Sequence, residues 1–175
     1  RECLTMNRGA NSTGKTEIGT NCLLMAYTHI AHDCLIGNHC IFSNNSTLAG
    51  HITIGNYVVL AGLTAIQQFC SIGDFAFISG GSLVRKDIPP YVKVAREPLI
   101  FTGINSIGMK RNGLEEKQIL HIEEIYKVLF KSKLNISQAL KIIETEIEPT
   151  EIRNSILQFI KKSKHGIVRG YDQKS

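Results

Sequence analysis

The stretch IGTNCL-LMAYTH-IAHDCL-IGNHCI-FSNNST-LAGHIT, Ile18 to Thr53, divides into blocks of six that each open on an apolar residue. The ruler continues without a slip through IGNYVV, LAGLTA, IQQFCS, IGDFAF, ISGGSL and VRKDIP. Twelve hexads over residues 18–89 therefore begin with Ile18, Leu24, Ile30, Ile36, Phe42, Leu48, Ile54, Leu60, Ile66, Ile72, Ile78 and Val84. A period of six, with a large apolar residue followed four places later by a small one, suits a left-handed parallel β-helix in which three short faces make one coil. The large residue fills the prism. The fifth position, where the triangle narrows, holds Cys22, Thr28, Cys34, Cys40, Ser46, Val58, Thr64, Cys70, Ala76 and Ser82. Its cysteines are read as core thiols. With Cys3 they make five in all and no CxxC pair, which argues against a disulfide framework and against a thiolate zinc site.

The Ile-Gly pair recurs at Ile18, Ile36, Ile54 and Ile72, so one coil takes 18 residues and four coils lie between Ile18 and Pro89. Pro89-Pro90 cannot donate to another ladder and is read as the end of the prism. Gly9 to Glu17 breaks phase and reads as a loop thrown out of the preceding coil. The expected organisation is a β-helix over 1–90, a connection over 91–112 and a small helical domain over 113–175. The fold class is mainly β with a C-terminal α-helical cap. In that cap Ile119, Ile122, Tyr126, Leu129 and Phe130 recur at helical spacing. Ser137 is a candidate cap for a second helix to about Ile147, and Pro149-Thr150 opens a third through Ile156, Leu157 and Ile160.

The net charge of +5 is concentrated late: residues 1–109 hold seven Lys/Arg against six Asp/Glu, and residues 110–175 hold thirteen against nine. With no aromatic-basic platform, this excess points to an acidic protein partner or a phosphorylated substrate and away from nucleic acid. No apolar run approaches the roughly 18 to 20 residues that cross a bilayer, and no signal-peptide pattern is present, so the chain reads as soluble and cytoplasmic. The opening RECLTMNRG begins as though in mid-element, and an N-terminal part is expected to be missing.

Residues 18 apart stack on successive coils about 4.8 Å apart. His32 therefore sits below Gly50, which sits below Gln68, and Asp33 sits below His51 and Phe69. This column suits acyl transfer: a neutral imidazole takes a proton from an attacking hydroxyl, and a glycine one coil away offers an unobstructed backbone N–H to an oxyanion. Asp33, or another carboxylate, is a candidate to fix the imidazole tautomer. Two other readings of these residues stand beside it. A corner glycine serves a turn and a corner histidine decorates the surface, or His29, His32 and His51 hold zinc. The three histidines lack a supporting acid cluster, so no metal is assigned. His39, His121 and His165 are read as surface positions.

At HIAHDC, IGN, NNSTLAGH, IQQFCSIG and GINSIGMKRNG the sequence resembles the UDP-N-acetylglucosamine O-acyltransferases that open the lipid A pathway, over essentially the whole chain. The resemblance implies a homotrimer that moves a 3-hydroxyacyl chain from acyl carrier protein to the 3-hydroxyl of UDP-N-acetylglucosamine, with no cofactor beyond the carrier's pantetheine. It implies His32 as catalytic base and the Gly50 backbone as oxyanion donor. It also implies His29, His51, Gln68, Asn105 and Arg111 as substrate contacts, and Gly80 as a position that helps set acyl-chain length. Gln67, Ile107 and Asn112 depart from some members, which have His, Glu and Arg there. A related N-acyltransferase, a coenzyme A-dependent sugar acetyltransferase and a non-catalytic β-helix scaffold are the alternatives.

Overall fold

A computed structural model describes residues 1–10, 13–132 and 134–170. Its first part is a parallel β-helix of two-residue strands. In chain order these are β1 (Thr5–Met6), β2 (Glu17–Ile18), β3 (Leu23–Leu24), β4 (His29–Ile30), β5 (Leu35–Ile36), β6 (Ile41–Phe42) and β7 (Thr47–Leu48). They continue as β8 (Thr53–Ile54), β9 (Val59–Leu60), β10 (Ala65–Ile66), β11 (Ser71–Ile72), β12 (Phe77–Ile78) and β13 (Leu83–Val84). Every third strand pairs, so one sheet runs β1-β4-β7-β10-β13, a second β2-β5-β8-β11, and a third takes β3, β6, β9 and β12. The register is 18 residues from coil to coil, as in Ile30↔Leu48 and Leu48↔Ile66. Among β1 to β13 the exception is Thr5↔His29, 24 residues apart, because the loop before β2 adds six. Glu17 belongs to β2 and pairs with Leu35, so that loop ends one residue earlier than its composition suggests.

The hexad rule has a physical basis at three positions. The first residue is buried in every hexad from Ile30 onward, while Ile18 and Leu24 at the open end are half-buried. Burying each such side chain contributes roughly 1.5–3 kcal/mol. The fourth residue bends the chain: Asn21, Tyr27, Asp33, His39, Asn45, His51, Tyr57, Leu63, Phe69 and Phe75 all have φ between 56° and 69°, the left-handed region that side chains other than glycine seldom occupy. The fifth residue differs by corner. Where the third sheet turns into the first, Thr28, Ser46, Thr64 and Ser82 each donate a hydroxyl hydrogen bond to the carbonyl three residues back, at 2.6 to 2.8 Å. At the other corners Cys22, Cys34 and Cys40 point their thiols at carbonyls of the next coil, 3.1 to 3.2 Å away. Burial pushes the Cys40 thiol up to about 12 and Cys70 to about 11, so these are inert core groups. Ile52 and Ile88 depart from the small-residue rule at this position and are fully buried.

The prolines do not end the sheet. The segment 91–112, irregular by its sequence pattern, forms β14 (Val92–Ala95), β15 (Ile100–Ile104) and α1 (Ser106–Arg111). β14 pairs parallel with β12 and antiparallel with β15, extending the third sheet to six strands. Pro90 gives up no needed donor there, and its carbonyl accepts the Tyr126 hydroxyl at 2.6 Å. Three longer helices follow: α2 (Glu116–Lys131), α3 (Ile136–Glu146) and α4 (Glu151–Lys162). Asn135, not Ser137, caps α3, because its side chain reaches the N–H of Gln138. Thr150 caps α4 and also meets His121 Nε2 at 2.8 Å, which ties α2 to α4. The tail returns to the end of the β-helix, where Asp87 accepts from the Ser163 hydroxyl at 2.6 Å. Residues 171–175 of the expected helical domain lie outside the described residues. Among the described residues no helix is long and apolar enough to cross a membrane.

Candidate active site

His32 and Asp33 occupy the corner where β4 of the first sheet turns into β5 of the second. Neighbours in an extended strand point apart, but the left-handed backbone at Asp33, φ 61°, bends the chain between them. Their side chains meet, with His32 Nδ1 2.8 Å from Asp33 Oδ2. The Asp33 carboxylate is fully buried, and it is buried with partners. Both its oxygens accept from the Ala10 N–H at 3.1 Å, and Oδ1 also accepts from the Thr13 N–H at 3.2 Å and from the Thr13 hydroxyl. The Asp33 N–H donates to Thr16 Oγ1 at 2.9 Å. These bonds hold the carboxyl well below the usual carboxylate range, the Thr13 hydroxyl most of all, with His32 and the Ala10 and Thr13 N–H groups adding and burial opposing. An ionised carboxylate accepts from Nδ1–H, which leaves Nε2 as the imidazole's free lone pair.

The reading of Gly9 to Glu17 as a loop leading away from the coil misses Ala10, Thr13 and Thr16. Their signal is the run TGKT, since Thr hydroxyls flanking glycine commonly bond to nearby main chain and carboxylates.

Gly50 lies one coil beyond His32. A Cβ placed on it would stand 2.7 Å from His32 Cε1 and 2.8 Å from Nε2, so the Nε2 edge of the ring rests on the glycine. The turn does not explain this residue: the left-handed position at that corner is His51, φ 60°. Glycine is needed because the imidazole occupies the space of its side chain. The Gly50 carbonyl accepts from the Phe69 N–H at 3.2 Å, while among the described residues its own N–H meets no acceptor. His51 stacks on Phe69 at 4.9 Å and stands edge-on to His32 at 5.1 Å between ring centroids. Gln68 follows on the next coil and is exposed, as is Gln67.

The other sequence-derived positions are not drawn to this corner. His29 turns to Thr5 Oγ1, 2.7 Å from its Nδ1, so the histidine trio considered for zinc does not assemble. The imidazole and carboxylate groups that do gather are His32, Asp33 and His51, with ligand atoms within 4.8 Å of one another. Gly80 sits at the corner between the third and first sheets, where a Cβ would stand 3.1 Å from the Gly62 carbonyl oxygen. Asn105 caps α1: its Oδ1 accepts from Gly108 N–H at 3.2 Å and its Nδ2 donates to the Phe75 carbonyl at 2.9 Å. Arg111 ends α1 and is exposed, beside exposed Ile107 and Asn112. A cavity of about 510 Å³ opens against His32 and is walled by Asn7, Arg8, Gly9 and Ala10.

Residues 87–168 match the family described as Udp N-acetylglucosamine O-acyltransferase, domain 2, and residues 15–50 match the bacterial transferase hexapeptide repeats. The acyl-(acyl-carrier-protein)–UDP-N-acetylglucosamine O-acyltransferase of Chlorobaculum parvum is 55% identical over 170 residues, covering 95% of this chain and 63% of the relative. That of Aquifex aeolicus is 53% identical, covering 97% and 65%. The chain thus spans 62 to 66% of the length of the curated relatives it matches. Among solved structures, UDP-N-acetylglucosamine acyltransferase from Francisella novicida superposes with a TM-score of 0.92 at 36% identity, covering 99% of this chain and 63% of that one. The enzyme from Campylobacter jejuni superposes with a TM-score of 0.86 at 31% identity, over 98% of this chain and 69% of that one. Repeat register, helical cap and these matches over nearly its full length agree, and the chain belongs to the UDP-N-acetylglucosamine acyltransferase family.

Proposed function

We propose that this chain carries the β-helical acceptor site and helical cap of an enzyme that transfers a 3-hydroxyacyl group from acyl carrier protein to the 3-hydroxyl of UDP-N-acetylglucosamine, the first step of lipid A biosynthesis. The observation that carries this reading is one arrangement: His32 held at Nδ1 by an ionised Asp33, with its Nε2 edge over the Gly50 backbone. His32 Nε2 takes the proton of the sugar hydroxyl as its oxygen attacks the thioester carbonyl. The Gly50 N–H donates to the tetrahedral oxyanion. Collapse breaks the carbon–sulfur bond, and the imidazolium returns its proton to the departing thiolate. Asp33 keeps the tautomer fixed throughout and stabilises the imidazolium.

His51, Gln68 and His29 serve the nucleotide sugar, while Gln67 leaves its position without an imidazole. Gly80 lies on another corner and Asn105 and Arg111 on α1, away from the His32 corner of the same chain, which supports a homotrimer in which neighbouring chains complete each site. In this reading Asn105 places α1, and Arg111 meets the phosphates of the nucleotide or the pantetheine arm. The basic C-terminal part faces the acidic carrier. The acyl donor's pantetheine is the sole cofactor required, and a nucleotide-sugar acceptor with a carrier-bound donor suits a reaction in the cytoplasm.

The test is product formation from 3-hydroxyacyl carrier protein and UDP-N-acetylglucosamine by the full-length protein, followed by mass spectrometry. His32→Ala is expected to lower kcat by about 10² to 10⁴. Near-normal transfer in that variant removes the general-base role. Turnover with the 3-amino nucleotide sugar in place of the 3-hydroxyl identifies an N-acyltransferase instead.

A further inference from the structure

We propose that His32, Asp33 and His51 form a binding site for a Zn²⁺-class divalent cation, and that occupancy switches off acyl transfer by taking the nitrogen through which Asp33 orients His32. The inhibitory half of this inference rests on the function proposed above; the metal-binding half does not.

The geometry gathers three ligand atoms within 4.8 Å of one another. His32 Nδ1 and Asp33 Oδ2 are 2.8 Å apart, and His51 Nε2 lies 3.8 Å from the same Oδ2. A hydrogen bond does not reach across 3.8 Å. Tetrahedral zinc with bonds of about 2.0–2.1 Å sets neighbouring ligand atoms about 3.3 Å apart, between those two separations and within the 4.8 Å that spans all three groups, so side-chain shifts of about one ångström seat an ion. His51 has no hydrogen-bond partner for either ring nitrogen among the described residues, although its ring is fixed by stacking on Phe69. Its Nε2 is therefore positioned, aimed at a buried carboxylate and uncommitted.

Supporting bonds favour the same outcome. Asp33 keeps its Ala10 and Thr13 contacts while Oδ2 takes a metal, and hydrogen-bonded carboxylate ligands are the usual arrangement at such sites. His32 and His51 are 40% and 20% exposed at their side chains, and the cavity against His32 gives the ion an entry path and room for a water as fourth ligand. Arg8 on the cavity wall is cationic, so Asp33 supplies the attraction.

The proton balance explains the inhibition. Without metal, neutral His32 holds its proton on Nδ1 and offers Nε2 as base. With the cation on Nδ1, neutral His32 holds that proton on Nε2, the atom that must accept one from the sugar hydroxyl. One proton moves within the ring through solvent, and none is lost overall.

The experiment uses chelator-treated full-length protein titrated with Co²⁺, read by the visible absorption of tetrahedral cobalt, then back-titrated with Zn²⁺. One equivalent per chain is expected, displaced by zinc, with binding weakened at least about tenfold in His51→Gln and in Asp33→Asn. Zinc X-ray absorption on the unaltered protein, which needs no variant, is expected to show only nitrogen and oxygen neighbours near about 2.0 Å. No cobalt band, a band retained in both variants, or a sulfur shell near about 2.3 Å overturns the site. Acyl transfer is expected to fall in step with occupancy; full activity at saturating zinc overturns the inhibition. A protein that binds cobalt with this dependence but transfers no acyl group refutes the proposed function and leaves the metal site standing.

Discussion

Two corners of each coil place a different kind of residue at the same hexad position. Where the second sheet turns into the third, the third residues are Thr20, Asn38, Asn56 and Asp74. From Asn38 onward each side-chain oxygen accepts from the backbone N–H one coil below: Thr20 N–H to Asn38 at 2.8 Å, Asn38 N–H to Asn56 at 2.9 Å, Asn56 N–H to Asp74 at 2.6 Å. This ladder seals the main-chain donors of Thr20, Asn38 and Asn56. Where the first sheet turns into the second, the equivalent residues are His32, Gly50 and Gln68: Gln68, one coil above, is exposed and among the described residues takes no hydrogen bond from the Gly50 N–H, which stays unsealed above the His32 imidazole. Both corners share the left-handed bend at the fourth residue. What separates a structural edge from a reactive one is whether the side chain above each N–H satisfies it or leaves it for a substrate.

The reactive corner is most sensitive at Asp33. Asp33→Asn presents an amide N–H to Nδ1, forces the other tautomer and is expected to lower kcat by about 10³, approaching the tautomer penalty of buried acid–imidazole pairs. Steady-state kinetics with KM near its normal value checks this. Gly50→Ala pushes the His32 ring, a movable side-chain end, off its seat. A displacement of that order costs about 10² in kcat with little change in thermal stability. At the sealed corner the expectation reverses. Asn56→Ala strips the acceptor from the Asn38 N–H and is expected to cost about 1 kcal/mol in a denaturant titration, with transfer activity unchanged.

The smallest effect is acid dependence. Asp33 has its folded pKa lowered, chiefly by the Thr13 hydroxyl, so its contribution to stability is complete above the unfolded value of about 3.9 and is lost as pH falls below it. The melting temperature of the unaltered protein is expected to drop more steeply below about pH 4 than that of Asp33→Asn. Parallel curves for the two proteins count against the Asp33 hydrogen-bond cluster.

The hexad phase made the prism legible because a β-helix maps sequence onto space in one dimension: residues 18 apart must stack once the strands pair. From that rule alone His32 falls below Gly50, and Asp33 below His51. Ser137 and the segment 91–112 were harder to read, because a helix cap and a two-strand extension are chosen by local hydrogen bonds that compete on nearly equal terms. Asn135 wins at the first, and at the second β14 finds an open sheet edge on β12.

The directions of the side chains around the column are set by tertiary contacts. The left-handed turn at Asp33 brings two sequence neighbours face to face, Ala10 and Thr13 of the loop before β2 bond to that carboxylate, and the 24-residue offset to β1 gives His29 to Thr5. The repeat period determined which coil each residue from Thr28 to Cys34 joins. Contacts among a bent corner, a returning loop and an irregular offset depend on three-dimensional distance, which a period of six does not encode.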